Sequence, residues 1–163
     1  MTRRTWLFAG VVAAMVAIPL ATIAWNEWKL ATGDEYRLQV QPVDPVDFFR
    51  GEYVALQYPI SRVTLDDSGW ERGDVVYVPL RRVDGHWTGE EGFREKPAGP
   101  VIRGTYVGRF GQAPVEYGIE TFFVEEGQAR KYEEAMFDRR LYADVVIDDE
   151  GKARLEDLVI RPQ

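Results

Sequence analysis

The chain has 163 residues, with 27 Asp and Glu against 20 Lys and Arg, a formal net charge of −7 and no cysteine. That composition rules out disulfide frameworks and Cys-ligated metals, and it argues against a nucleic-acid binder, because neutralising phosphates needs clustered Lys and Arg. Arg3 and Arg4 precede the first apolar segment; removing those two positive charges from −7 leaves −9 for the remainder, an acidic balance that keeps a domain soluble.

Trp6 to Trp25 (WLFAGVVAAMVAIPLATIAW) contains no charged residue. Roughly twenty apolar residues rising about 1.5 Å each cross a hydrocarbon core about 30 Å thick, so a single transmembrane anchor is expected. Thr22-Ile23-Ala24 would pass as a small-residue cleavage site. The segment nevertheless exceeds the roughly 7–15 apolar residues of a signal peptide and carries tryptophans at both ends, where interfacial anchors sit. Pro19 is expected to bend the span, since membrane helices tolerate proline. The flanking arginines place the N-terminus in the cytoplasm and the remainder in the periplasm, at the inner membrane. Asn26 to Glu35 is polar and broken by Thr32-Gly33-Asp34, which reads as a stalk. The chain therefore divides into an anchor and stalk over residues 1–30 and one extracytoplasmic domain over 31–163, enough for a single core.

Beyond the stalk the pattern is one of short β-rich runs. Tyr36 to Val40 alternates, and Glu52 to Tyr58 does so more clearly: Val54, Leu56 and Tyr58 share one face, Tyr53, Ala55 and Gln57 the other. Because both faces carry apolar or aromatic groups, a central strand is expected there. Asp74 to Leu80, Val101 to Val107 and Val115 to Val124 are further strands, with Pro79 confined to a strand end or edge. Trp87 to Gly99, rich in Gly, Glu and Lys, reads as an exposed excursion. Glu125 to Phe137 is the one expected helix, its leading acids suited to the positive end of the helix dipole and Gly127 its weak point. Leu141 to Ile147 and Ala153 to Ile160 form a hairpin around Asp148-Asp149-Glu150-Gly151. These elements define a mainly β (α+β) fold, antiparallel, with one short helix. Tyr53, Val54, Leu56, Tyr58, Val76, Val78, Ile119, Phe122, Val145 and Ile147 are the expected core.

Pro42 to Tyr58 (PVDPVDFFRGEYVALQY) is the densest segment. Its prolines stiffen a turn that Asp44 and Asp47 can cap, and Arg50 is within reach of both as a carboxylate–guanidinium lock, with Gly51 allowing close backbone approach. Arg50-Gly51-Glu52-Tyr53-Val54 is echoed by Arg103-Gly104-Thr105-Tyr106-Val107, which would place two arginines equivalently in two β units. Gly51 to Tyr58 resembles the motif of the GDYXXLXY family of bacterial membrane-anchored proteins. Pro42 to Asp47 with Arg50 resembles that family's lead-in, and Tyr117 to Gly127 its second block. The resemblance covers nearly the whole chain, with Glu52 in place of the motif's Asp. It implies a polytopic membrane protein as partner and implies nothing about chemistry.

Enzyme constellations find little material. His86, the single histidine, follows the Asp84-Gly85 turn and reads as exposed, and no His-based metal site can be built. The RGEYV run is also similar to a segment of type I signal peptidases, whose Ser–Lys pair needs a desolvated lysine. Ser61 and Ser68 are the only serines, and Lys96, Lys131 and Lys152 sit in polar contexts. Paired carboxylates drawn from Asp44, Asp47, Glu52 and Glu120, with Phe48, Phe49, Tyr53, Tyr58, Tyr106 and Tyr117 as sugar-stacking aromatics, are the remaining route to catalysis; such aromatics are more often core. No activity is identified, no catalytic residue is assigned, and no cofactor, metal or nucleic acid is expected. The candidate ligand- or partner-binding residues are Asp44, Asp47, Arg50, Gly51, Glu52, Tyr53, Tyr58, Arg103 and Glu120. The expected function is a non-enzymatic accessory or interaction protein, held in membrane lipid by its anchor and acting with a polytopic membrane protein. The alternative is a cell-wall ligand binder or hydrolase using the acidic cluster, with Arg103 and Glu120 facing it across a cleft.

Overall fold

Arg3–Ala31 form α1, a helix of 29 residues in a computed structural model that describes residues 3–42, 53–65, 69–108, 115–125 and 127–162. Its stretch Gly10–Trp28 is long and apolar enough to cross a membrane, and every side chain in it is exposed rather than packed on the rest of the protein. Pro19 lies inside the helix. Helical structure continues to Ala31, so the expected stalk reduces to Thr32 and Gly33 before β1 (Asp34–Gln39) begins. The Thr32 backbone N–H and hydroxyl both donate to the Trp28 carbonyl, at 3.1 and 3.0 Å. Gly33 then lies directly on the C-terminal part of the fold: a Cβ there would stand 2.6 Å from the Ile147 carbonyl oxygen and from a Val146 methyl. Glu27 pairs with Arg154 at 3.1 Å and ties the last helical turns to the same surface.

After β1 come β2 (Tyr53–Ala55), a 3₁₀ turn at Pro59–Ser61, β3 (Thr64–Leu65), β4 (Val75–Pro79), β5 (Arg81–Val83), β6 (His86–Thr88) and β7 (Glu91–Gly92). The second half holds β8 (Val101–Tyr106), β9 (Val115–Glu116), β10 (Thr121–Phe123), α2 (Ala129–Phe137), β11 (Leu141–Ile147) and β12 (Ala153–Ile160). The largest sheet has the order β12-β11-β1-β6-β5, antiparallel except where β1 meets β6. β4, β8 and β9 form an antiparallel three-stranded sheet; β10 pairs with β2, and β3 pairs with β7 in parallel. The domain is thus mainly β with antiparallel sheets and one short helix after the apolar N-terminal one. A single core joins them, centred on Leu38, Val40, Leu56, Tyr58, Ile102 and Leu141. α2 adds Ala135 and Met136 to it.

Local chemistry accounts for the differences from expectation. The helix starts at Ala129, not Glu125, because Gly127 adopts φ 81° and turns the chain just before it; Glu125 therefore lies outside the first turn. Val115 to Val124 is two strands in different sheets, split at Gly118, which adopts φ 79°. Trp87 to Gly99 is an exposed excursion only in its second half, since Arg94 to Gly99 is largely exposed while the first half is docked on β4. Its glycines let the backbone lie on β4: Cβ atoms would stand 2.5 Å from a Val78 methyl at Gly89 and 2.6 Å from a Val76 methyl at Gly92. Phe93 then exchanges backbone hydrogen bonds with Tyr77, at 2.8 and 2.9 Å. His86 likewise lies in β6, half-buried with its ring centroid 5.9 Å from that of Tyr142. Among the expected core residues, Tyr53 and Phe122 are half-buried and the other eight are buried. β2 is not central among the described strands, since β10 is its one ladder partner.

Candidate functional site

The segment from β2 to the 3₁₀ turn alternates strictly, with Val54, Leu56, Tyr58 and Ile60 buried and Tyr53, Ala55, Gln57 and Pro59 half-buried. An extended chain sends successive side chains to opposite faces, so one face of the motif enters the core and the other looks outward. On the inner face Leu56 is 3% exposed and Tyr58 not at all. The Tyr58 hydroxyl donates to the Ile119 carbonyl at 2.8 Å. In return the Tyr117 hydroxyl, also buried, donates to the Ile60 carbonyl. The two contacts are reciprocal: Tyr58-Pro59-Ile60 and Tyr117-Gly118-Ile119 each present a tyrosine, and each accepts the other's hydroxyl on the isoleucine two residues further on. The Leu56 N–H donates to the Glu120 carbonyl at 2.8 Å and closes the same seam.

Burial of both phenols, followed by the negative charge of Glu120, pushes their pKa values far above the ordinary tyrosine range. They serve as donors and not as acids. Glu120 completes the turn, its carboxylate accepting the Tyr117 N–H. Burial raises its pKa, and the nearby charge of Glu116 adds to that, against the lowering effect of hydrogen bonds from the Tyr117, Glu120 and Gly118 amides. Gly104 makes room for the arrangement, since a Cβ there would come within 2.9 Å of the Tyr117 ring and 2.4 Å of a Val115 methyl.

The outer face is aromatic. Tyr53 stacks edge-on against Phe123 at 6.3 Å, and Phe123 is 78% exposed. On the opposite side of β10, the one shared with Val54, Phe122 packs against the core and meets Tyr132 of α2 at 6.4 Å, and Lys131 stands over the Tyr132 ring at 4.7 Å. Phe122, Phe123, Lys131 and Tyr132 line a shallow hollow of about 380 Å³ together with Val124, Glu125 and Gln128.

The sequence candidates are placed as follows. Tyr58 and Glu120 meet at the seam and Tyr53 lies on its outer side. Arg103 sits exposed in β8, its backbone N–H donating to the Gly151 carbonyl at 2.7 Å. Glu120 senses the charge of Glu116, and Arg103 is not among the groups acting on it. Asp44, Asp47, Arg50, Gly51 and Glu52 lie outside the described residues, as do the expected lock around Arg50 and one half of the Arg-Gly echo. Among the described residues no three His, Asp or Glu side chains converge as metal ligands. Sequence reasoning missed the reciprocal exchange, and the repeated Tyr-x-Ile tripeptide was the signal for it.

An exposed apolar helix running into a mainly β domain, with a Tyr-x-x-Leu-x-Tyr seam at its centre, is the class of protein that this architecture defines. The chain belongs to the GDYXXLXY protein family, whose model matches residues 15–158. No curated protein and no solved structure matches it.

Proposed function

We propose that this protein is a membrane-anchored, non-enzymatic interaction protein whose domain stands at the periplasmic face of the inner membrane and acts with a polytopic membrane protein. The junction after α1 carries the reading. Only Thr32 and Gly33 separate the helix from β1, and Gly33 and Glu27 are both fixed to the domain. With Gly10–Trp28 in the bilayer, the domain is held against the lipid surface, where a membrane-embedded partner's loops and helix ends are within reach. Arg3 and Arg4 on the near side of the span support the orientation. The buried half of the motif is occupied in closing the fold, which leaves the outer face, with Tyr53 and Phe123, for contact.

Capture of the full-length protein from gently solubilised membranes tests this. A polytopic membrane protein co-purifying in a fixed ratio is the expected result, and it should be lost when α1 is replaced by an unrelated span. Recovery of general chaperones and abundant porins alone would overturn the reading.

A further inference from the structure

At the end of β1 remote from α1, the chain forms a hollow of about 310 Å³ lined by Gln39, Val40, Gln41, Pro42, Arg62 and Arg139. We propose that this hollow binds an anionic group, a carboxylate or phosphate carried by a small ligand, between the Arg62 and Arg139 guanidinium groups. The proposal is independent of the partner reading.

Charge distribution is the first support. The chain carries more acids than bases, yet among the described residues no acidic side chain lines the hollow. Arg37, Arg81, Arg94, Arg130, Arg140 and Arg154 each hold a carboxylate partner. Among the described residues Arg62 and Arg139 hold none, as is also true of Arg72, Arg82, Arg103 and Arg161, and Arg62 and Arg139 are the two of these that line one hollow. Guanidinium groups present planar forks of N–H donors that match carboxylate and phosphate oxygens, and glutamine amides supply further donors beside them.

Backbone geometry is the second. Arg139 adopts φ 56°, in the left-handed region. It ends α2 in a Schellman motif, its N–H donating to the Met136 carbonyl at 3.0 Å and that of Arg140 to the Ala135 carbonyl at 2.8 Å. Glycine is the residue that fits this position without strain. An arginine there keeps a strained backbone at the wall of the hollow, the pattern found where strain serves a site.

Arg62 is the third. Its N–H donates to the Pro59 carbonyl at 3.1 Å, and one guanidinium nitrogen donates to the Gln57 side-chain oxygen at 3.2 Å. Gln57 is itself bridged to Gln41 on the hollow's wall. The bond to Gln57 holds the exposed guanidinium toward the rim, and among the described residues its other N–H groups have no partner.

The test uses full-length protein in neutral detergent, titrated with inorganic phosphate and, separately, with succinate. A third arm adds phosphatidylglycerol to the micelles, which distinguishes a lipid headgroup from a dissolved anion. Saturable binding in at least one arm is expected, weakened tenfold or more by Arg139→Gly and by Arg62→Gln. Arg139→Gly should melt at or above the parent temperature, because glycine relieves the backbone, so its loss of binding cannot be assigned to unfolding. Absence of saturable binding in all three arms would overturn the proposal. So would binding that both variants retain, or binding that emerges only after Asp44→Asn and Asp47→Asn, which would mean that the chain fills its own site.

Discussion

In the β11–β12 hairpin, strands adjacent in sequence meet around Asp148-Asp149-Glu150-Gly151, and the pairings run in sequence except for one register shift at Asp144/Val145. Asp148 accepts the Glu150 and Lys152 N–H groups at 3.0 and 2.8 Å, and Gly151 adopts φ 87° to complete the turn. The tyrosine exchange joins residues 61 and 57 positions apart, with no local turn to bring them together. The hairpin's order is local and tolerant, because each contact is one of many in a ladder. The seam concentrates its order in a few buried groups whose only partners lie on the far segment. Damage to a side chain should therefore cost more at the seam than at the turn.

The largest effect is expected from Leu56→Ala, which removes a side chain buried on the same inner face as Tyr58 and should cost about 2–5 kcal/mol. A urea midpoint equal to the parent's would show that the motif's inner face does not carry the core. Next come Tyr58→Phe and Tyr117→Phe. Each leaves a buried carbonyl without its donor, at a cost of about 1–3 kcal/mol. Because the two contacts share one seam, the double variant should depart from additivity by about 0.5 kcal/mol or more, measured as a thermodynamic cycle in urea; strict additivity would separate the two bonds. Asp148→Ala, on the hairpin side, should cost about 0.5–1.5 kcal/mol, since it removes hydrogen bonds in an exposed turn. A loss larger than that of either tyrosine variant would reverse the comparison.

The smallest effect concerns Glu120 and has a pH signature. Its folded pKa lies above the ordinary carboxylate range, so its contribution to stability is greatest when both states hold the proton, and it falls as pH rises through the raised value. Glu120→Gln keeps an acceptor for the Tyr117 N–H and cannot titrate. Melts taken from pH 4 upward should show the parent losing stability relative to the variant as pH rises. Parallel profiles would mean that the carboxylate is not desolvated.

The hairpin was legible in the sequence because alternation and turn chemistry act over neighbouring residues. The alternation of Val54, Leu56 and Tyr58 was legible for the same reason. What those side chains meet was not, since Ile119 and Ile60 are reached only through the tertiary fold. Gly127 was visible as a weak point and Gly118 was read through as part of one strand; the left-handed backbone that makes both of them boundaries is set by the turns around them. Gly89 and Gly92 read as loop punctuation, whereas they are close-approach sites under β4. In the candidate site, Tyr58 and Glu120 were named without the geometry that joins them. Arg62 and Arg139 carried no sequence signal, because their proximity depends on how α2 ends near the far end of β1.

The short link after α1 fixes an angular phase as well as a height. A helix advances about 100° and 1.5 Å per residue, and Thr32 and Gly33 leave no slack to absorb a change. One residue inserted in the last turn of α1 would therefore swing the whole sheet about a quarter-turn around the helix axis, carrying Tyr53, Phe123 and the arginine hollow to a different side of the helix. Rotation of α1 and orientation of the domain are one degree of freedom in this molecule.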